Sequence, residues 1–149
     1  MKIALCQINP TVGAINQNRK IILDTYNRAI DLEADVIVFP ELAIIGYPPQ
    51  DLLLRDRFII NAQNALNEIA QKSTIPVILG NTLIEDNKLY NCAFICENGE
   101  IVSHYKKRLL PTYDVFDEAR YFAAGNKHCI VELAIDGKNT KIGLQICED

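Results

Sequence analysis

Residues 35–41 read Asp-Val-Ile-Val-Phe-Pro-Glu, and this stretch decides the fold class. The residues from Val36 to Phe39 are all apolar, and three of them are β-branched. A strand formed by them would therefore have no polar face. Such a run predicts an interior strand of a sheet that is covered on both faces. Pro40 ends this strand, because proline has no amide hydrogen to donate to a neighbouring strand.

Helical patterns lie on both sides of this strand. Upstream, residues 2–8 predict a short strand, followed by an apolar helical stripe of Ile22, Tyr26, Ala29 and Ile30. Downstream, an irregular stretch at 46–49 precedes a second stripe that ends near Ser73 and contains Phe58, Ala62, Ala65, Leu66 and Ile69. Helices that alternate with apolar strands indicate an α/β protein.

The second half of the chain has the pattern of strands and tight turns. Strands are predicted at 76–84, 88–97 and 100–105, and Asn98-Gly99 supplies a hairpin turn. A second hairpin is predicted around Asp136-Gly137, with strands at 130–135 and 141–146. Residues 111–125 have no clean periodicity, which predicts a functional loop. The sequence therefore predicts a mixed sheet flanked by helices.

Composition excludes several classes of function. The 149 residues correspond to one domain or part of one. With 15 Lys and Arg against 19 Asp and Glu, the net charge of −4 argues against nucleic-acid binding. The N-terminal apolar run, Ile3 to Cys6, is too short for a signal peptide or a membrane span. Five scattered cysteines do not form a disulfide framework, so we expect a cytoplasmic protein with reduced thiols.

Three chemically active side chains follow apolar strands. They are Glu41, Lys107 and Cys147. Strand ends at one edge of a sheet gather side chains around a ligand in α/β proteins. A thiol that attacks an amide needs a base, a positive charge or N–H donors for the oxyanion, and an acid for the leaving amine. These three residue types match that chemistry, although each alone is more often structural.

Other interpretations of the same residues are open at this point. A papain-like site would pair Cys147 with His104 or His128, but neither histidine lies in a recognisable motif. Cys92 and Cys96 have no second pair of ligands nearby, so core packing is favoured over a zinc site.

Three motifs in chain order resemble the nitrilase, or carbon-nitrogen hydrolase, superfamily. They are Phe-Pro-Glu-Leu at 39–42, Tyr-Lys-Lys at 105–107 with Leu-Pro at 110–111, and Gly-Leu-Gln-Ile-Cys-Glu-Asp at 143–149. Within it, the segments 46–53 and 110–118 resemble the glutaminase domains of glutamine-dependent NAD synthetases, and the resemblance covers residues 1–149. The resemblance implies a four-layer α-β-β-α sandwich, of which this chain would be the N-terminal part.

The resemblance also implies a role for each matching residue. Glu41 would be the general base, Cys147 the nucleophile, and Lys107, the last residue of a Tyr-x-Lys pattern, the catalytic lysine in preference to Lys106. Glu118 would be a supporting glutamate, and Tyr47 and Tyr113 would line the glutamine pocket. The backbone N–H of Glu148 would donate to the oxyanion.

The implied reaction is hydrolysis of the side-chain amide of L-glutamine through a γ-glutamyl thioester, without a metal or another cofactor in this domain. ATP, Mg²⁺ and deamido-NAD would bind only to a C-terminal synthetase domain, which is absent from residues 1–149 together with the rest of the glutaminase domain. We therefore expect little or no activity from this chain alone, activity from its parent, and a homo-oligomer.

Two further alternatives remain. The same three catalytic residues could act on another amide or a nitrile. The chain could also be an inert interaction module, because an incomplete domain would expose an apolar face.

Overall fold

The computed structural model describes residues 1–135 and 137–149, and its main feature is a five-stranded mixed sheet. The strand order is β1-β2-β3-β4-β5, with bounds Ile3–Leu5, Val36–Val38, Val77–Glu85, Lys88–Glu97 and Glu100–Lys106. The first three strands are parallel, and β3, β4 and β5 are antiparallel. The predicted mixed sheet is confirmed.

Two helices of equal length cover one face of this sheet: α1 spans Ile15–Asp31 and α2 spans Asp56–Lys72. The predicted stripes are their buried sides, since Ile22, Leu66 and Ile69 are almost fully excluded from water. Each such side chain contributes roughly 1.5–3 kcal/mol by leaving water. The helices therefore anchor to the sheet through the residues that the periodicity identifies.

The other face of the sheet packs on a β-hairpin formed by β6 (Cys129–Ile135) and β7 (Lys138–Leu144). Val36 in β2 faces this hairpin, while its neighbour Ile37 faces the helices, and both are buried. The prediction of an interior strand with two covered faces is confirmed. The described residues form three layers in the order helix, sheet, sheet, which are three of the four layers that the resemblance implies.

The largest differences between predicted and observed strand ends are in β1 and β7, and the ends of the other predicted strands agree to within one residue. β1 has three residues rather than the predicted 2–8, because it is an edge strand and its neighbour β2 is also only three residues long. β7 begins at Lys138 rather than at 141, because its polar first residues pair with the end of β6 although their side chains remain partly or fully exposed. It ends at Leu144, two residues before the predicted end at Ile146. Asn98 and Gly99 adopt the predicted positive φ angles of 51° and 86°. Of the predicted turn at Asp136-Gly137, Asp136 lies outside the described residues.

Apolar side chains remain exposed at the edge strand β1 and on the outer side of β6. The exposed fractions are 47% for Ile3, 76% for Leu5 and 71% for Ile130. In the described part of the chain, no helix is both long enough and apolar enough to cross a membrane.

Candidate active site

Glu41 lies in the turn that follows β2, and Gly80 in β3 makes room for that turn. A Cβ atom at position 80 would overlap the amide nitrogen of Leu42 and would lie 2.7 Å from the carbonyl carbon of Glu41. The Gly80 amide donates a hydrogen bond to the carbonyl of Pro40 at 3.3 Å. The backbone that carries Glu41 therefore crosses β3 at a point where only glycine fits.

Lys107 follows β5 and lies between two carboxylates. Its Nζ donates hydrogen bonds to Oε1 of Glu41 at 2.8 Å and to Oε1 of Glu118 at 2.9 Å. The Lys107 side chain is fully buried, and the side chains of Glu118 and Glu41 are 5% and 19% exposed. Burial alone would lower the pKa of Lys107, but the hydrogen bonds and charges of the two glutamates outweigh it and raise this pKa. Lys107 is therefore a buried ammonium group.

Two neutral side chains complete this cluster of charges. Asn91 in β4 donates from Nδ2 to Oε1 of Glu41 at 2.6 Å, and Tyr47 donates from its hydroxyl to Oε1 of Glu118 at 2.9 Å. Burial, followed by the hydrogen bond to Glu118, raises the pKa of Tyr47. The Tyr47 hydroxyl thus remains a proton donor that fixes the second glutamate.

Cys147 occupies a tight turn just after β7. Its φ of 48° lies in the left-handed region, which costs a residue other than glycine about 1–3 kcal/mol. The residue is exposed, and together with Glu41 it lines a cavity of about 370 Å³. The structure therefore brings the predicted nucleophile and the predicted base to one cavity, while Lys107 contacts that base directly.

The turn that carries Cys147 is tied to the lysine segment by Asp149. Oδ1 of Asp149 accepts hydrogen bonds from the amides of Arg108 (3.0 Å) and Leu109 (2.8 Å). Oδ2 accepts from the Tyr105 hydroxyl (2.8 Å) and the Ile146 amide (3.1 Å). Burial alone would raise the pKa of Asp149, but these donors outweigh it and lower this pKa. One carboxylate thus joins residues on either side of the site.

Tyr113 and Glu148 lie at the exposed rim of the site. The Tyr113 hydroxyl donates to the Glu148 carboxylate at 2.8 Å, and the tyrosine is 56% exposed. The Phe116 ring lies 5.6 Å from the Tyr113 ring and 6.2 Å from the Tyr47 ring. Tyr47 and Glu118 line a second cavity of about 250 Å³. The two predicted pocket tyrosines therefore flank one phenylalanine, and neither lines the cavity of Cys147.

The structure also separates the neighbouring candidates. Lys106 lies outside the cluster, where it pairs with Glu85 and lies over the Tyr90 ring. The His104 ring is tilted against the Phe94 ring, with centroids 5.9 Å apart, and His128 lies beside Arg108. Neither histidine lines the cavity of Cys147. The geometry therefore favours Lys107 over Lys106 and gives no support to a thiol–histidine pair.

Cys92 and Cys96 are core residues, as the sequence predicts. Both are fully buried on the helix side of the sheet, and burial raises the pKa of each thiol to about 12. Within residues 1–135 and 137–149, no three His, Cys, Asp or Glu side chains are grouped so that they could hold a metal ion.

Three residues of this site were missed by the sequence analysis. They are Gly80, Asn91 and Asp149. Gly80 and Asn91 interrupt apolar strands, which is a visible signal for a close backbone approach and for a buried polar contact. Asp149 ends the motif at 143–149, but nothing in that motif indicates its partners, because three of its four donors lie at 105–109.

Comparison with known proteins defines the family. The carbon-nitrogen hydrolase family model matches residues 2–149. The chain therefore belongs to the carbon-nitrogen hydrolase family. It is 43% identical to a glutamine-dependent NAD(+) synthetase from Synechocystis, over 99% of this chain and 27% of that protein. The chain thus spans about a quarter of the length of the curated relatives it matches.

Solved structures agree with this assignment. A glutamine-dependent NAD+ synthetase from Acinetobacter baumannii matches with a TM-score of 0.91 and 38% identity, over 99% of this chain and 27% of that one. An amidase from Nesterenkonia matches with a TM-score of 0.84 and 23% identity, over 99% of this chain and 56% of that one. The first match shows homology to glutamine-dependent NAD synthetases, and the second shows the fold alone.

Proposed function

We propose that this chain carries the catalytic residues of a glutaminase that supplies ammonia to NAD synthesis. The observation that carries the proposal is a buried lysine held between two glutamates, one of which shares a cavity with an exposed cysteine. The similarity to glutamine-dependent NAD synthetases supports glutamine as the substrate. Each charged group in this arrangement has a defined task in amide hydrolysis.

The first half of the reaction releases ammonia. Glu41 accepts the proton of the Cys147 thiol, and the thiolate attacks the side-chain carbonyl carbon of glutamine. Negative charge develops on the carbonyl oxygen, where the Lys107 ammonium and the backbone N–H of Glu148 stabilise it. Glu41 then gives its proton to the amide nitrogen, the C–N bond breaks and ammonia leaves.

The second half regenerates the thiol. Water attacks the γ-glutamyl thioester, and Glu41 accepts a proton from that water. The C–S bond breaks, glutamate leaves and the proton returns to the thiolate sulfur. The net reaction converts glutamine and water to glutamate and ammonia. Glu118 and Tyr47 touch no reacting atom in this scheme, and they hold the ammonium group of Lys107 in place.

The remaining parts of the proposal concern partners and location. We assign ATP, Mg²⁺ and deamido-NAD to a synthetase domain outside these residues, and no cofactor to this part. Tyr47 and Tyr113 are proposed to contact glutamine.

Five unpaired cysteines support a reducing, cytoplasmic location. The exposed apolar residues on β1 support a homo-oligomer. Sedimentation at several protein concentrations tests this, and a monomer at high concentration would contradict it.

The function is tested by ammonia release from L-glutamine in the full-length gene product. We expect activity that Cys147→Ala and Glu41→Gln abolish and that the control Cys129→Ala retains. A diazoketone analogue of glutamine should add one label, at Cys147. An active protein that prefers acetamide or butyramide to glutamine would favour the second candidate, an amidase. Activity that survives Cys147→Ala would refute both.

A further inference from the structure

Asn91 makes a direct contact with the proposed base. It lies in the middle of β4 and is 1% exposed. Its Nδ2 donates to Oε1 of Glu41 at 2.6 Å, the same oxygen that accepts from Lys107 Nζ at 2.8 Å. Two donors hold Oε1 in place, and neither of them uses Oε2. Glu41 and Cys147 line the same cavity.

The backbone of the same residue holds the lysine segment. The carbonyl oxygen of Asn91 accepts a hydrogen bond from the Lys107 amide at 2.9 Å. Asn91 therefore contacts both the Glu41 side chain and the Lys107 main chain. A single position in β4 sets the relative placement of the two groups.

Packing does not explain an asparagine at this position. Its Oδ1 is buried without a hydrogen-bond partner, and a buried polar group in that state costs about 1–3 kcal/mol. A leucine of similar volume would fill the same space without that cost. The bond to Glu41 is the interaction that only the amide provides.

We propose that Asn91 is a positioning residue that orients Glu41 toward Cys147. This inference rests on the proposed function, because it assigns Glu41 the role of base.

The chain contains a closely matched control for this proposal. Asn81 in β3 is also fully buried, donates one side-chain hydrogen bond at 3.0 Å and has an unpartnered Oδ1. Its acceptor is the Ala62 carbonyl in α2 rather than a catalytic carboxylate. Replacing either asparagine by leucine removes an amide from the core, and the two variants differ in the contact that is lost: the Glu41 carboxylate for Asn91 and a backbone carbonyl for Asn81.

The experiment compares Asn91→Leu and Asn81→Leu in the full-length gene product, with glutamine as substrate. We expect Asn91→Leu to lower kcat about 10-fold to 100-fold with little change in KM, because a misplaced base costs this much. Asn81→Leu should keep kcat within about threefold of the wild-type value.

Three results would overturn the proposal: equal losses of kcat in the two variants, a normal kcat in Asn91→Leu, or a change confined to KM. If Asn91→Leu fails to fold, Asn91→Asp keeps the shape and places a carboxylate against Glu41, and it should show the same loss of kcat at neutral pH. The proposed function is tested separately, by comparing the wild-type protein with Cys147→Ala in the same assay. An inactive wild-type protein would refute the proposed function rather than the role of Asn91.

Discussion

Replacing Lys107 by methionine removes the charge at the centre of the site while keeping a side chain of similar length. The variant leaves Glu118, 5% exposed, with one donor from Tyr47 and with Oε2 unpartnered. Leaving a buried charge without its partner costs about 3–5 kcal/mol. Glu41 adds less, because its side chain is 19% exposed and keeps its bond to Asn91. We therefore expect a loss of about 3–5 kcal/mol in the free energy of unfolding.

A double-mutant cycle separates this charge effect from packing. Glu118→Gln keeps an acceptor for Lys107 and Tyr47, so it should cost only about 1–3 kcal/mol. In the double variant Lys107→Met/Glu118→Gln, the buried carboxylate is gone as well. The combined loss should therefore be smaller than the sum of the single losses by about 0.5–3 kcal/mol.

Urea unfolding at pH 7, followed by circular dichroism because the chain contains no tryptophan, measures these losses. The pKa of Lys107 is raised above its ordinary 10.5, so its stabilising charge is fully present at this pH and is lost only as pH rises through the raised value. The control is Lys106→Met, whose partly exposed ion pair with Glu85 should contribute at most about 1 kcal/mol. Equal effects of the two lysine variants, or strict additivity in the cycle, would refute the reasoning.

Three other predictions follow from the same geometry. Gly80→Ala should cost about 1–3 kcal/mol and lower kcat in the full-length gene product, because its methyl group displaces the turn of Glu41; a normal kcat contradicts this. The lowered pKa of Asp149 adds stability above the ordinary value of 3.8, and this stability is lost as pH falls through the folded value. Thermal unfolding between about pH 2 and 5 should therefore show a weaker pH dependence in Asp149→Asn than in the wild type. At pH 8 a disulfide reagent should modify the exposed Cys147 first. Cys92 should remain unmodified until the chain unfolds, because it is buried and its pKa is raised to about 12. Fast labelling of Cys92 would contradict this and would show that β4 opens.

The fold was predictable because local patterns and burial agree. The apolar run in β2, the stripes of α1 and α2 and the turn at Asn98-Gly99 each specify one element from neighbouring residues alone. The start of β7 was not predictable, because its first residues are polar and are held by pairing with β6 rather than by burial.

The candidate site was predictable only in part. Glu41 and Lys107 follow strands, whereas Glu118 lies in a later irregular segment. The Tyr-x-Lys pattern of the resemblance favours Lys107 over Lys106, and alternation along β5 alone does not separate them. Asn91 could not be connected to Glu41 from the sequence, because 50 positions separate them and only the register of β4 in the sheet brings them together. Side-chain partners across such distances depend on the tertiary structure.

The hydrogen bonds of the charged cluster have a consequence for how the protein matures. Those made by Asn91, Lys107 and Tyr47 to the two glutamates join positions as far as 50, 66 and 71 residues apart. Contacts of such high sequence separation form slowly and are lost together when a chain opens. A partly folded or proteolytically nicked molecule would therefore separate Cys147 from Glu41, the proposed proton acceptor. If the proposed function holds, misfolded copies in a cell would keep a reactive thiol but would not release ammonia from glutamine.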